Sequence, residues 1–311
     1  MITIYKTNGS GLETIERAVN GCWVNVVDPT PQEITQVQEI LHVPQDFITY
    51  PLDLAEMPRT EKENGTTLIV LRVPCFQGEG ADIPYITVPL GIILTDRNIT
   101  TVCRTETHTV QSIALGRVRG LETTKRNRFI LHLLFVTANR YLTDLRELNK
   151  AVDTLEDRLQ HSLRNRELLE LLKVQKSLVY FTTALKANEV LLHHLQRSQM
   201  FERYSDDQEL LDDVLTEVQQ AIEMTNISSS ILGQMMGAFA AIISNNLNSV
   251  MKVLASITIV VSLPTMISSF FGMNVLLPLE ESNPIAFMGI LGAALAVSVM
   301  VLMFLWRKDW L

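Results

Sequence analysis

Charge is what this chain lacks, and it lacks it in two places. Residues 253–273 contain no Asp, Glu, Lys or Arg, and neither do residues 285–306. Each stretch is about 20 residues long, enough for a helix to cross roughly 30 Å of hydrocarbon. A third stretch lacks one sign only. Between Asp206 and Met251 there is no Lys or Arg, whereas Asp206, Asp207, Glu209, Asp212, Asp213, Glu217 and Glu223 are all acidic. Cysteine is scarce: Cys22, Cys75 and Cys103 are widely spaced in no metal-ligand pattern, which suits reduced thiols and excludes a disulfide framework. The opening Met1-Ile2-Thr3-Ile4-Tyr5-Lys6 has no basic start followed by an apolar stretch, so no signal peptide is expected. Low-complexity tracts and internal repeats are absent. No nucleic-acid partner is expected of this chain, whose net charge is −8. No Gly-rich phosphate loop, nucleophile triad or pair of catalytic acids stands out, and enzymatic activity is not expected. The adjacent His193 and His194 point different ways on a helix, unlike an i, i+4 ligand pair, and read as surface residues.

What is present is a mixed chain that ends in a membrane hairpin. Residues 1–125 read as an α/β domain, with strand-like runs at 2–6, 22–27, 67–73, 85–94 and 99–104 rich in Val, Ile and Thr. Between the second and third runs a helix is expected to start at Thr30 as N-cap, with Pro31 in the first turn and Glu33 completing a capping box. From Asn127 the period changes to steps of three and four, through Phe129, Leu133, Val136, Leu142, Leu145, Leu148, Val152, Leu155 and Leu159. Residues 126–200 therefore form an antiparallel helical pair. A third helix begins near Asp206 and meets no proline before Pro264. Gly233 and Gly237 weaken it without ending it. Continuous over 206–270, it is about 65 residues and on the order of 95 Å long, so its end is the first membrane span. The link 271–284 only turns the chain round, 285–306 crosses back, and 307–311 is a short tail.

Flanking charge sets the orientation. Lys252 precedes the first span and Arg307 and Lys308 follow the second, whereas the link holds Glu280 and Glu281 and no basic residue. The positive-inside rule places both ends in the cytosol and the acidic link outside, as in a multi-pass protein of the cell inner membrane. Trp306 and Trp310 suit an aromatic anchor at the inner face of the bilayer.

Steps of three and four along the first span pick out Asn248, Met251, Ala255, Thr258, Ser262, Thr265, Ser269 and Gly272, a mostly small or polar stripe between apolar flanks. Close helix packing is one reading. The other is a water-filled path lined by several copies, because a 3.5-residue repeat keeps one face inward in a bundle. One hairpin cannot enclose such a path, so conduction requires a cyclic homo-oligomer, with the second span and its small residues as an outer ring. At the outer end, Gly272 lets the backbone leave the helix and Asn274 supplies an amide oxygen. Neutral oxygens of this kind bind the waters of a hydrated cation, which suits Mg2+ because it dehydrates reluctantly. An ordinary helix C-cap is the plainer reading of the same residues. The acidic helix likewise has two readings, a solvated surface or a cation-concentrating one.

Gly272-Met273-Asn274 at the end of the first of two C-terminal spans resembles the signature of the CorA family of divalent-cation channels. Asn25-Val26-Val27-Asp28-Pro29-Thr30-Pro31-Gln32-Glu33 is similar to an early segment of that family, and Asn248-Ser249-Val250-Met251-Lys252-Val253-Leu254 is similar to the start of its pore helix. The resemblance covers essentially the whole chain. It implies a funnel-shaped homopentamer in the lipid bilayer, with cytosolic α/β domains and a ring of Asn274 meeting hydrated Mg2+ as the selectivity filter. By register it implies Asn248, Met251, Leu254, Thr258 and Thr265 as pore positions, with Met251 and Leu254 as an apolar constriction. It further implies that cytosolic Mg2+ bridges acids of neighbouring subunits and holds the channel closed. Asp213 falls on one such acid, with Glu79 or Asp82 as its partner. Phe271 departs from the family's usual Tyr, and the terminal basic cluster is thin. The rival expectations are a relative that moves Zn2+, Co2+ or Ni2+, with or without proton coupling, and a non-conducting membrane-anchored cation sensor.

Overall fold

In the computed structural model, residues 1–8, 11–78, 80–161, 165–201, 204–273, 284–308 and 310 are described. The chain divides into two compact units, Met1–Gln234 and Met235–Leu311.

The first unit is built on a seven-stranded sheet. Its strands are β1 (Ile2–Asn8), β2 (Gly11–Ile15), β3 (Trp23–Val27), β4 (Arg59–Glu63), β5 (Thr66–Phe76), β6 (Tyr85–Leu94) and β7 (Ile99–Cys103), in the order β2-β1-β3-β7-β6-β5-β4. Among the described residues only β3 and β7 pair parallel. The central strands are continuous runs of buried Val, Ile and Leu because both sheet faces are covered. One face packs on α1 (Pro31–Leu41) and α2 (Gln45–Thr49), where Val24, Val70 and Val102 meet Val37, Leu41 and Phe47. Helix α1 starts as its sequence dictates. Thr30 Oγ1 accepts from Glu33 N–H at 3.3 Å, and Glu33 Oε2 accepts from Thr30 N–H at 2.9 Å. That backbone donor, with the N-terminal ammonium 3.1 Å away, holds the Glu33 carboxyl below its usual range. Between α2 and β4 a single 3-10 turn, Tyr50–Leu52, presses on the sheet at Gly91, where a Cβ would lie 2.1 Å from Pro51 Cγ.

The opposite face packs on α4 (Arg126–His161) and α5 (Asn165–Arg197), with α3 (His108–Ala114) ahead of them. Trp23 meets Phe129 of α4 at a tilt, with ring centroids 5.3 Å apart, and Tyr141 meets Phe181 of α5 edge-on at 5.1 Å. Tyr141 and Phe181 lie at similar sequence distances from the end of α4 and the start of α5, as an antiparallel pair requires. A polar joint sits where β4 stops pairing with β5 at Val70. Pro74 and Pro89 oppose Thr87 and Arg72, two pairs of the same parity in the β5–β6 ladder. The backbone of Arg72 consequently faces away from β6, and Asn188 of α5 pairs with it like a strand neighbour. Asn188 Oδ1 accepts from Arg72 N–H at 2.9 Å, while Asn188 Nδ2 and Tyr141 OH donate to Arg72 O at 2.8 and 3.0 Å. The Arg72 side chain is buried without a carboxylate and donates instead to Thr87 Oγ1 and to the carbonyls of Leu54, Glu56 and Thr87.

Helix α6 runs unbroken from Ser205 to Phe271 through Pro264, and α7 is Pro284–Arg307. Its first turn is tied to α4 by Arg128, which reaches Asp207 at 2.8 Å and Asp206 at 3.2 Å. Part of the one-signed charge of α6 is therefore neutralised by a neighbouring helix, which the run of acids alone does not reveal.

Candidate functional site

The second unit holds both charge-free stretches. The distal part of α6 and helix α7 are each long and apolar enough to cross a membrane, and only 6% and 11% of their most apolar windows are buried. A core helix of a soluble protein is mostly buried, so these surfaces call for lipid or for further copies of the chain.

The stripe read from the sequence lies on this open surface. Asn248, Met251, Leu254, Thr258, Ser262 and Thr265 are all exposed. Thr258, Ser262, Thr265 and Ser269 line one groove of about 660 Å³ together with Val261 and other apolar neighbours. The hydroxyls have a common arrangement. Thr258 donates to Leu254 O at 2.8 Å, Ser262 to Ile259 O at 3.0 Å and Thr265 to Val261 O at 3.0 Å. Each hydroxyl has one proton to give and has given it to its own helix, so its oxygen turns only lone pairs outward. Pro264 has no N–H for the carbonyl of Val260, which leaves one more acceptor on the same stretch. The groove is thus uncharged, and three of its four hydroxyl oxygens turn acceptors outward.

Ser256 behaves differently. It is fully buried, with its hydroxyl on Lys252 O at 2.8 Å, and in the same unit Ala294 of α7 is 4% exposed. Small residues at close contacts are the packing motif expected between membrane helices. The first span therefore uses small polar residues in two ways, on two sides. The sequence-based stripe places Ala255 beside Thr258 and passes over Ser256, because adjacent small residues differ in facing and not in chemistry.

At the outer end, Gly272 N–H reaches Ser268 O at 3.0 Å and Ser269 O at 3.3 Å, and Met273 N–H reaches Phe270 O at 3.5 Å. Gly272 is not in the left-handed region, and a Cβ there would meet only ordinary contacts at 3.5 and 3.6 Å. The conformational freedom expected of this glycine is not used within one chain. Asn274, Glu280 and Glu281 lie outside the described residues, as does Glu79.

The expected regulatory acids are not gathered within one chain. Asp213 is exposed, with no hydrogen bond or ion pair among the described residues. Asp82 stands 3.4 Å from Lys176 of α5 in an exposed pair, and Asp212 accepts from Gln196 at 3.1 Å. Among the described residues there is no group of three or more His, Cys, Asp or Glu able to hold a metal. His193 is half-buried and His194 exposed.

A family profile described as CorA-like Mg2+ transporter protein matches residues 20–308. The chain belongs to the CorA family. The cobalt/magnesium transport protein CorA of Methanocaldococcus jannaschii is 26% identical over 297 residues, which are 92% of this chain and 90% of that one. The complete structure of the CorA magnesium transporter from the same organism matches with a TM-score of 0.86 at 21% identity, over 100% of this chain and 99% of the other. The full-length CmaX protein matches at 0.74 and 16% identity, over 97% of each chain. At these identities the solved structures speak for the fold. This CorA-family chain shares it from end to end: an N-terminal α/β unit, a long helix and two C-terminal candidate spans. Its family is one of transporters, not enzymes.

Proposed function

We propose that this CorA-family chain is a divalent-cation channel that admits Mg2+ to the cytosol as a homopentamer. The observation that carries this reading is the row of exposed oxygens of Thr258, Ser262 and Thr265, their protons given to the helix, beside the apolar flanks of an uncharged span. Several copies facing one another would bring those oxygens round a common path, with Met251 and Leu254 as an apolar constriction and Asn248 on its inner side. Neutral acceptors bind the water shell of a cation without stripping it, which suits an ion that holds its water tightly. Entry is driven by an inside-negative potential, about 2.3 kcal/mol per charge per 100 mV. Both chain ends lie in the cytosol on this reading, because Lys252, Arg307 and Lys308 flank the spans and Glu280 and Glu281 occupy the link.

The filter is Gly272-Met273-Asn274. Among the described residues nothing crowds Gly272, which supports a role for it in the ring, where backbones of neighbouring copies and hydrated ions would come together. Closure comes from cytosolic Mg2+ bridging Asp213, whose carboxylate is exposed and unpaired, to an acid of the next subunit. Glu79 is the better partner of the two expected, because Asp82 already faces Lys176.

Asn274→Ala should abolish Mg2+ uptake into liposomes while leaving the oligomer intact by native mass spectrometry. Normal flux in that variant removes Asn274 from the filter. The M. jannaschii relative is described as a cobalt/magnesium transport protein, so Co2+ is the second cargo to test, with Ni2+ and Zn2+ beside it. Competitive flux assays with and without a pH gradient separate these cargoes and any proton coupling. A membrane-anchored sensor would instead pass no ion, and Thr258→Leu and Ser262→Leu would then be harmless.

A further inference from the structure

The connection between α3 and α4 reads Gly116-Arg117-Val118-Arg119-Gly120. Both glycines take left-handed backbone, with φ of +67° and +72°, which other residues adopt only at a cost. Helix α3 closes on this segment in a Schellman arrangement: Gly116 N–H donates to Ile113 O at 2.9 Å and Arg117 N–H to Ser112 O at 3.2 Å. The backbone thus fixes where Arg117 and Arg119 stand. Both are exposed, and among the described residues neither side chain has a hydrogen-bond or ion-pair partner.

The two arginines line a groove of about 470 Å³ whose other wall is the first half of α4, with His132, Phe135, Asn139 and Arg140. Arg140 is held from behind. Its Nε donates to Asp144 Oδ2 at 3.1 Å and its Nη2 lies 2.6 Å from Oδ1, and the Asp144 side chain is only 1% exposed. Three guanidinium charges less one buried carboxylate leave an excess of two on a concave surface. This excess sits on a chain whose net charge is −8. Two loose surface arginines would need no such frame.

We propose that Arg117, Arg119 and Arg140 form a binding site for a small phosphoryl anion, separate from the ion path. Planar guanidinium forks match the oxygens of a phosphoryl group, and its charge of about −1.5 to −2 at neutral pH meets the excess. The groove has the size of a small-molecule site, and Phe135 offers a planar carbon surface beside the cations on which a nucleobase could rest. Free phosphate, a nucleotide and a lipid headgroup share this chemistry. The His132 edge of the groove lies one turn of α4 from Arg128, the residue that holds the first turn of α6, and Arg140 about three turns from it. An occupant therefore stands beside the joint from which the long helix departs.

The test uses full-length protein in detergent with EDTA, and orthophosphate, AMP, ATP and glycerol 3-phosphate as separate probes. At least one probe should protect Arg117 and Arg119 from phenylglyoxal, read by peptide mass spectrometry, where chloride at equal ionic strength does not. Calorimetric affinity should fall tenfold or more in the double variant Arg117→Glu, Arg119→Glu. A preference for AMP over orthophosphate assigns the site to nucleotides, equal affinity to free phosphate, and a preference for glycerol 3-phosphate to lipid headgroups. Unchanged labelling with all four probes overturns the proposal, as does unchanged affinity in the double variant. Loss of oligomer mass in that variant also overturns it, because the arginines would then serve a subunit contact. The labelling arm needs only the wild-type chain, so a variant that fails to fold leaves the test intact.

Discussion

Asp144 is a buried acid of the first unit whose carboxyl is raised well above its ordinary range. Its carboxylate is almost fully buried on α4 and has a single cationic partner, Arg140, one turn earlier. Oδ1 is near that partner but makes no well-aligned hydrogen bond. Burial lifts the acid to about 6 from an ordinary 3.8, against the pull of Arg140. A folded-state value raised above the unfolded one gives stability that is complete below about 4 and is lost as pH rises through about 6. The size of the effect is roughly 2–3 kcal/mol at most. Thermal melts of the full chain between pH 4.5 and 7.5 should carry this slope, superposed on opposite slopes from carboxylates such as Glu33. Asp144→Asn should flatten its own contribution, and identical slopes in the two proteins would show that the residue is not its source. The three cysteines need no such account. Burial raises all three thiols, Cys103 to about 11, so they are poor nucleophiles at neutral pH.

Among the elements, the joint between sheet and helices is the one to break. Replacing Asn188 by Leu keeps the volume but leaves the Arg72 N–H without a partner and removes one of two donors from its carbonyl. A loss of about 2–3 kcal/mol is expected, measured by denaturant unfolding of the full chain. A change below about 0.5 kcal/mol would mean that water or a backbone shift replaces the amide. The same elements show where sequence reasoning reaches and where it stops. The buried strands β5, β6 and β7 were legible as apolar runs, and Thr30, Pro31 and Glu33 announced the start of α1. The edge strands β2 and β4 were not. Gly11-Leu12-Glu13-Thr14-Ile15 and Arg59-Thr60-Glu61-Lys62-Glu63 carry the charge that protects a sheet edge, and that charge makes them look like loops. Helix α3 escaped notice because seven residues hold too little periodicity, although Thr107 caps it. In the candidate site the hydroxyl stripe followed from spacing alone. The burial of Ser256 and the pairing of Asp206 and Asp207 with Arg128 did not, since both depend on which helix lies alongside.

For the whole molecule, the proposed pentamer divides the surfaces of the two spans between other copies and lipid. The buried native cysteines make this measurable, because they give little background to thiol chemistry. Thr258→Cys should cross-link between chains in oxidised membranes, whereas Met300→Cys on α7, also exposed in the single chain, should not. Equal cross-linking at both positions would contradict an inner ring of α6 and an outer ring of α7.

The hydroxyl protons of Thr258, Ser262 and Thr265 are all committed to backbone carbonyls, and no titratable side chain lies within 253–273 or 285–306. A relay of protons needs groups that can both give and take. The three stripe hydroxyls turn outward only groups that take. Water and ions can pass along such a surface, but no side chain on it can carry a proton across in exchange for a metal. If transport by this protein senses acidity, the sensing must be done outside the membrane, and conductance through an already open path should be flat from pH 6 to pH 8.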